Sequence, residues 1–265
     1  MSGRVAVLVF PGTNSEEETQ RACFAAGLSA ELVHWSWERE RASEFDAYIL
    51  PGGFAYEDRV RAGAIAAHDR LLQPVREAAA AGKPVIGICN GAQVLLEAGL
   101  VPALDGETAR PQAAFARNAP LGKYRSTHVY VKLVVPPATS PLTAEFDVHA
   151  VLPAWASHGE GRLAASEAVL ERLEREARVA FVYCDANGNA LPGTVPNGSA
   201  LGAAGLINGP GNVLALMPHP ERDAWGFMHG GPAREAVRGD AAAMLAPSGG
   251  IALFRGLARA LGVRA

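Results

Sequence analysis

The sequence is short of sulfur, of net charge and of long apolar runs. Its three cysteines, Cys23, Cys89 and Cys184, are too few and too widely spaced for a disulfide framework or a zinc site, and an odd count leaves one thiol free in any pairing. A working thiol suits a reducing compartment, so a cytoplasmic location is expected. A net charge of −3, with lysines and arginines scattered among acids, provides no basic footprint, and nucleic acid is not an expected partner. The apolar run 5–10 is too short for a secretory core and breaks at Pro11-Gly12, while Gly, Asn and Pro interrupt the other uncharged stretches. Neither a signal peptide nor a membrane partner is therefore expected.

Phosphate-binding signatures are also missing. Gly82-Lys83 and Gly122-Lys123 are not followed by Ser or Thr, and Gly209-Pro210-Gly211 lacks the third glycine of a dinucleotide fingerprint. No ATP chemistry, cofactor or metal is expected in this chain. No linker, repeat or charge block divides the 265 residues, so a single domain spanning 1–265 is expected, with an apolar fraction of 49% sufficient for a sizeable core.

What is present alternates. Strands are expected at 4–10, 30–35, 47–50 and 85–88, and helices at 16–26, within 58–81, from residue 89 through 96, and at 251–261. Near-continuous apolar strands between helices indicate an α/β fold, an open, mostly parallel sheet with helices on both faces. The β-rich middle, 127–135 through 148–154, reads as an antiparallel extension. The charge-dense stretch 167–178 reads as a solvated helix face.

One segment carries chemistry. Val85-Ile86-Gly87-Ile88-Cys89-Asn90-Gly91-Ala92-Gln93 runs an apolar strand into a turn with glycines two residues either side of a cysteine. This is the pattern of a nucleophile elbow with sulfur in place of oxygen, strained and tolerant only of small neighbours. It aims backbone N–H groups and a helix N-terminus at the sulfur, and it predicts a thiol open to a shallow cleft. By itself the segment also fits an ordinary strand-to-helix turn around a buried cysteine.

Two further segments suit an elbow. Met217-Pro218-His219-Pro220-Glu221-Arg222 follows the apolar run 213–216. If it is extended, as its two prolines suggest by disfavouring helix, His219 and Glu221 face the same way, so the carboxylate can orient the imidazole against a thiol. The strand at 47–50 ends in Pro51-Gly52-Gly53, whose unencumbered amides can approach a developing oxyanion.

Together these segments resemble class I, triad-type glutamine amidotransferases, and among them the glutaminase subunits of phosphoribosylformylglycinamidine synthases. The elbow and the His-Pro-Glu are similar to the whole superfamily. Phe10-Pro11-Gly12-Thr13-Asn14, Gly52-Gly53-Phe54-Ala55-Tyr56, Arg61-Ala62-Gly63-Ala64-Ile65-Ala66, His158-Gly159-Glu160-Gly161 and Pro196-Asn197-Gly198-Ser199 resemble that subfamily. Ala92, Glu57 and Ser15 depart from its usual aromatic, glycine and cysteine, and the stretch 223–250 is longer than the resemblance leads one to expect.

The resemblance implies Cys89 as nucleophile, His219 as general base and acid, and Glu221 as the group orienting His219. It implies the backbone amides of Gly53 and Asn90 as an oxyanion hole, and Gln93 and His158 as substrate-binding residues. It further implies that ammonia from glutamine passes to a large ATP- and magnesium-dependent synthetase subunit acting on formylglycinamide ribonucleotide, with a small accessory subunit. Three other readings share parts of the pattern: a glutaminase serving a different synthetase, a cysteine-dependent α/β hydrolase acting on esters, and a redox-sensing protein without an enzymatic role.

Overall fold

The computed structural model describes residues 3–36, 39–106 and 110–263. In chain order the elements are β1 (Arg4–Val9), α1 (Glu16–Ala25), β2 (Ser29–His34), β3 (Ala47–Leu50), α2 (Leu72–Ala80), β4 (Val85–Ile88), α3 (Asn90–Glu97), β5 (Ala114–Arg117), β6 (Arg125–Leu133), β7 (Val151–His158), β8 (Glu160–Ala164), α4 (Glu167–Arg175), β9 (Val179–Cys184), β10 (Ala203–Ile207), β11 (Val213–Leu216), α5 (Gly231–Val237), α6 (Ala241–Leu245) and α7 (Ala252–Ala260). Among the described residues, no helix is long and apolar enough to cross a membrane.

The main sheet runs β2-β1-β3-β4-β11-β10-β9-β6-β7. From β2 to β11 the strands are parallel, and from β11 to β7 they are antiparallel. The central strands β3, β4 and β11 are buried at every position, as strands covered on both faces must be, whereas β7 alternates buried and half-buried residues, as suits an edge. The unit β1-α1-β2 steps towards one edge and β3-α2-β4 towards the other, so right-handed crossovers put α1 and α2 on opposite faces. Strand order thus reverses between β1 and β3, and the carboxyl ends of β1, β3, β4 and β11 border the crevice where open α/β sheets hold ligands.

The expected sheet and antiparallel extension are present, with differences at the borders. The extension also takes in β9 and β10. Its expected strand at 148–154 instead spans Val151–His158, because His149 adopts a left-handed φ of 64° just before it. Residues 58–65 form no α-helix; regular helix begins only at Leu72.

The elbow glycines have a steric cause. A Cβ on Gly91 would strike the Leu50 carbonyl of the neighbouring strand, and one on Gly87 would lie 2.5 Å from the Gly91 carbonyl oxygen. Both obstacles are backbone, so neither can yield cheaply. Gly91→Ala should therefore lose about 3 kcal/mol, lowering the Tm by roughly 6–12 °C. Calorimetry checks this, and an unchanged Tm would refute the tight strand-to-helix turn.

Candidate active site

Cys89 caps the N-terminus of α3 with φ 51° and ψ −105°, outside the usual regions for a residue with a side chain. Such strain costs about 1–3 kcal/mol and is found where a group must be held at a turn tip. The thiol is not open to a cleft as expected: Cys89 is only 5% exposed. The reason is that β7 closes over it, and its Sγ donates to the Ser157 carbonyl at 3.7 Å.

His219 follows β11 and is pinned by its backbone to β7, with His219 N–H donating to Trp155 O at 2.8 Å and Trp155 N–H to His219 O at 3.1 Å. Its ring fills the space a Cβ on Gly52 would occupy. The Glu221 Oε1 atom lies 2.5 Å from His219 Nδ1, and both side chains are buried. Burial by itself would lower the imidazole's pKa. Electrostatic attraction to Glu221 and Cys89, together with the hydrogen bonds the ring makes with both, outweighs it, holding His219 up to about 9. The structure thus brings Cys89, His219 and Glu221 together.

The expectation of an extended His-Pro-Glu segment needs correction. Pro220 is α-helical (φ −70°, ψ −29°), and Glu221 begins a short 3-10 turn through Asp223. Proline is compatible with the first turn of a helix, where its missing N–H has no partner to lose. The carboxylate reaches the imidazole because the chain turns, not because it is extended.

The loops after β1 and β3 interlock. Asn14 N–H donates to Gly52 O at 3.2 Å, and Phe54 N–H donates to Gly12 O at 2.8 Å. These bonds flank the antiparallel bridge Thr13–Gly53, so the pair itself is non-hydrogen-bonded and the Gly53 N–H turns away from Thr13. Gly53 has φ 154°, and a Cβ there would lie 2.6 Å from Gly12 O, so only glycine fits. The Asn90 N–H is the first of α3, one of the amides without an intrahelical acceptor. Beyond Gly53, Tyr56, Glu57, Asp58 and Val60 all have φ between 51° and 73°. For residues with side chains this costs roughly 1–2 kcal/mol each.

Gln93 sits one helical turn beyond Cys89, buried, with its amide engaged: Nε2 donates to Glu160 O at 2.5 Å and Oε1 accepts from Asn90 Nδ2 at 2.9 Å. It borders a cavity of about 320 Å³ whose walls carry both signs of charge, Arg61 and Arg117 with Glu97 and Glu160. Arg61 is bidentate to Glu97. Asp58, which sequence reasoning did not single out, is pushed up to about 6 by partial burial and then by the charge of Glu160.

His158 ends β7, buried, with Gly161 making room for its ring. Asn118 Nδ2 donates to the carbonyls of Lys123 and His158, which fixes Asn118 Oδ1 as the acceptor for Gly161 N–H and for His158 Nδ1. His158 is therefore protonated on Nδ1, leaving Nε2 as a buried acceptor with no protein partner. Burial, followed by the charge of His219, lowers its pKa to about 4, so the ring is neutral near pH 7.

The stretch 223–250, whose role the sequence did not disclose, lies across β6 and β7. Buried Asp223 accepts from His128 Nε2 at 2.6 Å, His229 Nδ1 at 2.8 Å and Ser248 Oγ at 2.8 Å, and Trp155 Nε1 donates to Met228 O at 3.0 Å. Trp155 is the residue that pins His219, so the stretch backs the imidazole's support. Among the described residues, no cluster of His, Cys, Asp and Glu is arranged to hold a metal ion.

Comparison with known proteins identifies the family. Residues 2–248 match the CobB/CobQ-like glutamine amidotransferase domain family. The chain is 40% identical over 226 residues to phosphoribosylformylglycinamidine synthase subunit PurQ of Methanothrix thermoacetophila, covering 83% of this chain and 86% of that one. It is 42% identical over 220 residues to the PurQ subunit of Symbiobacterium thermophilum, covering 83% and 87%. Among solved structures, PurLQS from Thermotoga maritima superposes with a TM-score of 0.72 at 27% identity, covering 98% of this chain and 99% of that chain. With an elbow cysteine, a buried His–Glu pair and a match over nearly its full length, the chain belongs to the CobB/CobQ-like glutamine amidotransferase family.

Proposed function

We propose that this chain is a glutaminase subunit that hydrolyses glutamine to glutamate and ammonia. The ammonia passes to a separate ATP- and magnesium-dependent synthetase subunit, which converts formylglycinamide ribonucleotide to formylglycinamidine ribonucleotide in purine biosynthesis, together with a small accessory subunit. The observation that carries the chemistry is the strained Cys89 beside the His219–Glu221 pair. The relatives named PurQ and the PurLQS assembly support the choice of synthetase. The cytoplasm is the compartment that suits a working thiolate.

The geometry supports the following steps. The Cys89 thiolate attacks the side-chain amide carbon of glutamine, and the Gly53 and Asn90 N–H groups receive the negative charge on the carbonyl oxygen. The His219 imidazolium gives its proton to the leaving nitrogen, the C–N bond breaks, and a γ-glutamyl thioester remains with ammonia free. Neutral His219 then takes a proton from water, whose oxygen attacks the thioester, and the C–S bond breaks to release glutamate and restore the thiolate. Glu221 holds the ring's tautomer and stabilises its cationic form throughout. The cavity beside Gln93, with carboxylates and guanidiniums in its walls, suits the ammonium and carboxylate of a free amino acid. Neutral His158, which lies outside that cavity's lining, offers a buried acceptor at Nε2 rather than a cation.

Free ammonia is mostly protonated at neutral pH and useless as a nucleophile, so uncoupled turnover wastes glutamine. The chain alone should therefore hydrolyse glutamine slowly and be activated by the synthetase loaded with acceptor and nucleotide, as partner contacts select the donating form of the 52–60 loop. Glutamate production with and without the loaded partner tests this. Equal rates would remove the coupling, and no glutamate in either condition would remove the glutaminase reading.

A further inference from the structure

We propose that the Asn90 side chain is a positioning residue that clamps the loop carrying Gly53 to the nucleophile elbow, with the Asp58 carboxylate as its counterpart. The inference rests on the glutaminase reading for its kinetic consequence, though the clamp itself is geometric. Asn90 is 3% exposed, and its carboxamide is fully directed. Its Oδ1 accepts from Ala55 N–H at 3.0 Å, while Nδ2 donates to Asp58 Oδ1 at 3.0 Å and to Gln93 Oε1 at 2.9 Å. Donors and acceptors match at every contact, so the orientation of the amide is set by the network.

The segment held in this way is the one with reason to move. Four side-chain-bearing residues between 56 and 60 are left-handed, and a loop with that much local strain keeps its shape only when something outside it holds it. Asn90 grips it at two points, Ala55 and Asp58, which bracket Tyr56 and Glu57. One residue thus contributes to both halves of the proposed oxyanion hole: its backbone N–H is one donor, and its side chain fixes the loop that presents the other. Gln93 completes the link, joining Asn90 to the β8 backbone through Glu160.

Three full-length variants, Asn90→Ala, Asp58→Ala and Asp58→Asn, test the clamp by two reactions of the same sulfur. Glutamine hydrolysis builds an oxyanion; alkylation of Cys89 by iodoacetamide does not. Both alanine variants should lose on the order of 10²-fold in kcat, with KM changed less than about threefold and iodoacetamide alkylation within about twofold of wild type. Asp58→Asn should recover most of what Asp58→Ala loses, because its amide oxygen still accepts from Asn90 Nδ2. Hydrogen exchange in the peptide spanning 52–60 should quicken in Asn90→Ala, as the Ala55 amide loses its acceptor. An unchanged kcat in both alanine variants overturns the proposal, as does an equal fall in hydrolysis and alkylation, which would place the damage in the elbow itself. If Asn90→Ala does not fold, Asp58→Ala tests the same link from the loop side. If wild type makes no glutamate, the glutaminase reading fails, and the exchange measurement still decides the clamp: persistent protection of 52–60 would overturn it.

Discussion

Cys89→Ala should abolish glutamine-dependent synthesis by the assembled complex while leaving synthesis from added ammonia intact. In the proposed mechanism the Cys89 sulfur forms the covalent intermediate, and deleting a nucleophile of this kind lowers kcat on the order of 10⁶-fold. The substitution removes one buried atom from a turn whose tightness depends on Gly87 and Gly91, so the backbone should be preserved. The lesion is confined to making ammonia, and ammonium salt added in excess, at a pH that leaves a working fraction unprotonated, should replace the missing supply. The check is product formation with each nitrogen donor in turn. Loss of both activities with the complex still assembled would show that the chain does more than supply nitrogen.

Glu221→Gln should lower kcat by roughly 10³–10⁴-fold without disturbing the fold, the scale seen when an orienting carboxylate is neutralised in other triads. Glu221 offers a clean charge test, since Oε1 meets His219 Nδ1 while the buried Oε2 has no protein partner. A glutamine can place its carbonyl oxygen on the imidazole and its amide nitrogen on the unpartnered side, keeping volume and contact and losing the charge. That charge is a main reason His219 stays up at about 9 against a reference of 6.5. The sign is then fixed. A group whose pKa is raised by folding contributes stability that is fully present below 6.5 and lost as pH rises through about 9. Neutralising Glu221 drops the imidazole's pKa, so the imidazolium that protonates the leaving nitrogen disappears at lower pH. The alkaline limb of kcat/KM should move down, and the decline of wild-type stability between those two pH values should flatten. A pH–rate profile with an unmoved alkaline limb would remove Glu221 from this role.

The site was legible where chemistry forces a local pattern. Cys89 between Gly87 and Gly91 announces a tight turn because a Cβ at either glycine meets backbone, and Gly53 is fixed by a φ of 154° that only glycine adopts readily. The His219–Glu221 partnership was visible in spacing, but its geometry was not, since whether Pro220 continues a strand or opens a turn depends on what packs around it. The clamp from Asn90 to Asp58 joins residues 32 apart and leaves no periodicity to detect. Asp223 gathers His128, His229 and Ser248 from three parts of the chain, so the purpose of 223–250 emerges only when β6 and β7 are in place. Strands β9 and β10 escaped for a different reason: short apolar runs such as Ala203–Ile207 read equally as buried helix or strand until neighbours supply the ladder.

The most direct measurement of the central claim is peptide mass mapping after the protein is mixed with glutamine and quenched in acid during turnover. The account predicts a γ-glutamyl adduct on the peptide containing Cys89 and on neither peptide containing Cys23 or Cys184, with the adduct absent from Cys89→Ala. Glutamate formation with the adduct on another residue, or undiminished glutamate formation by Cys89→Ala, would contradict it.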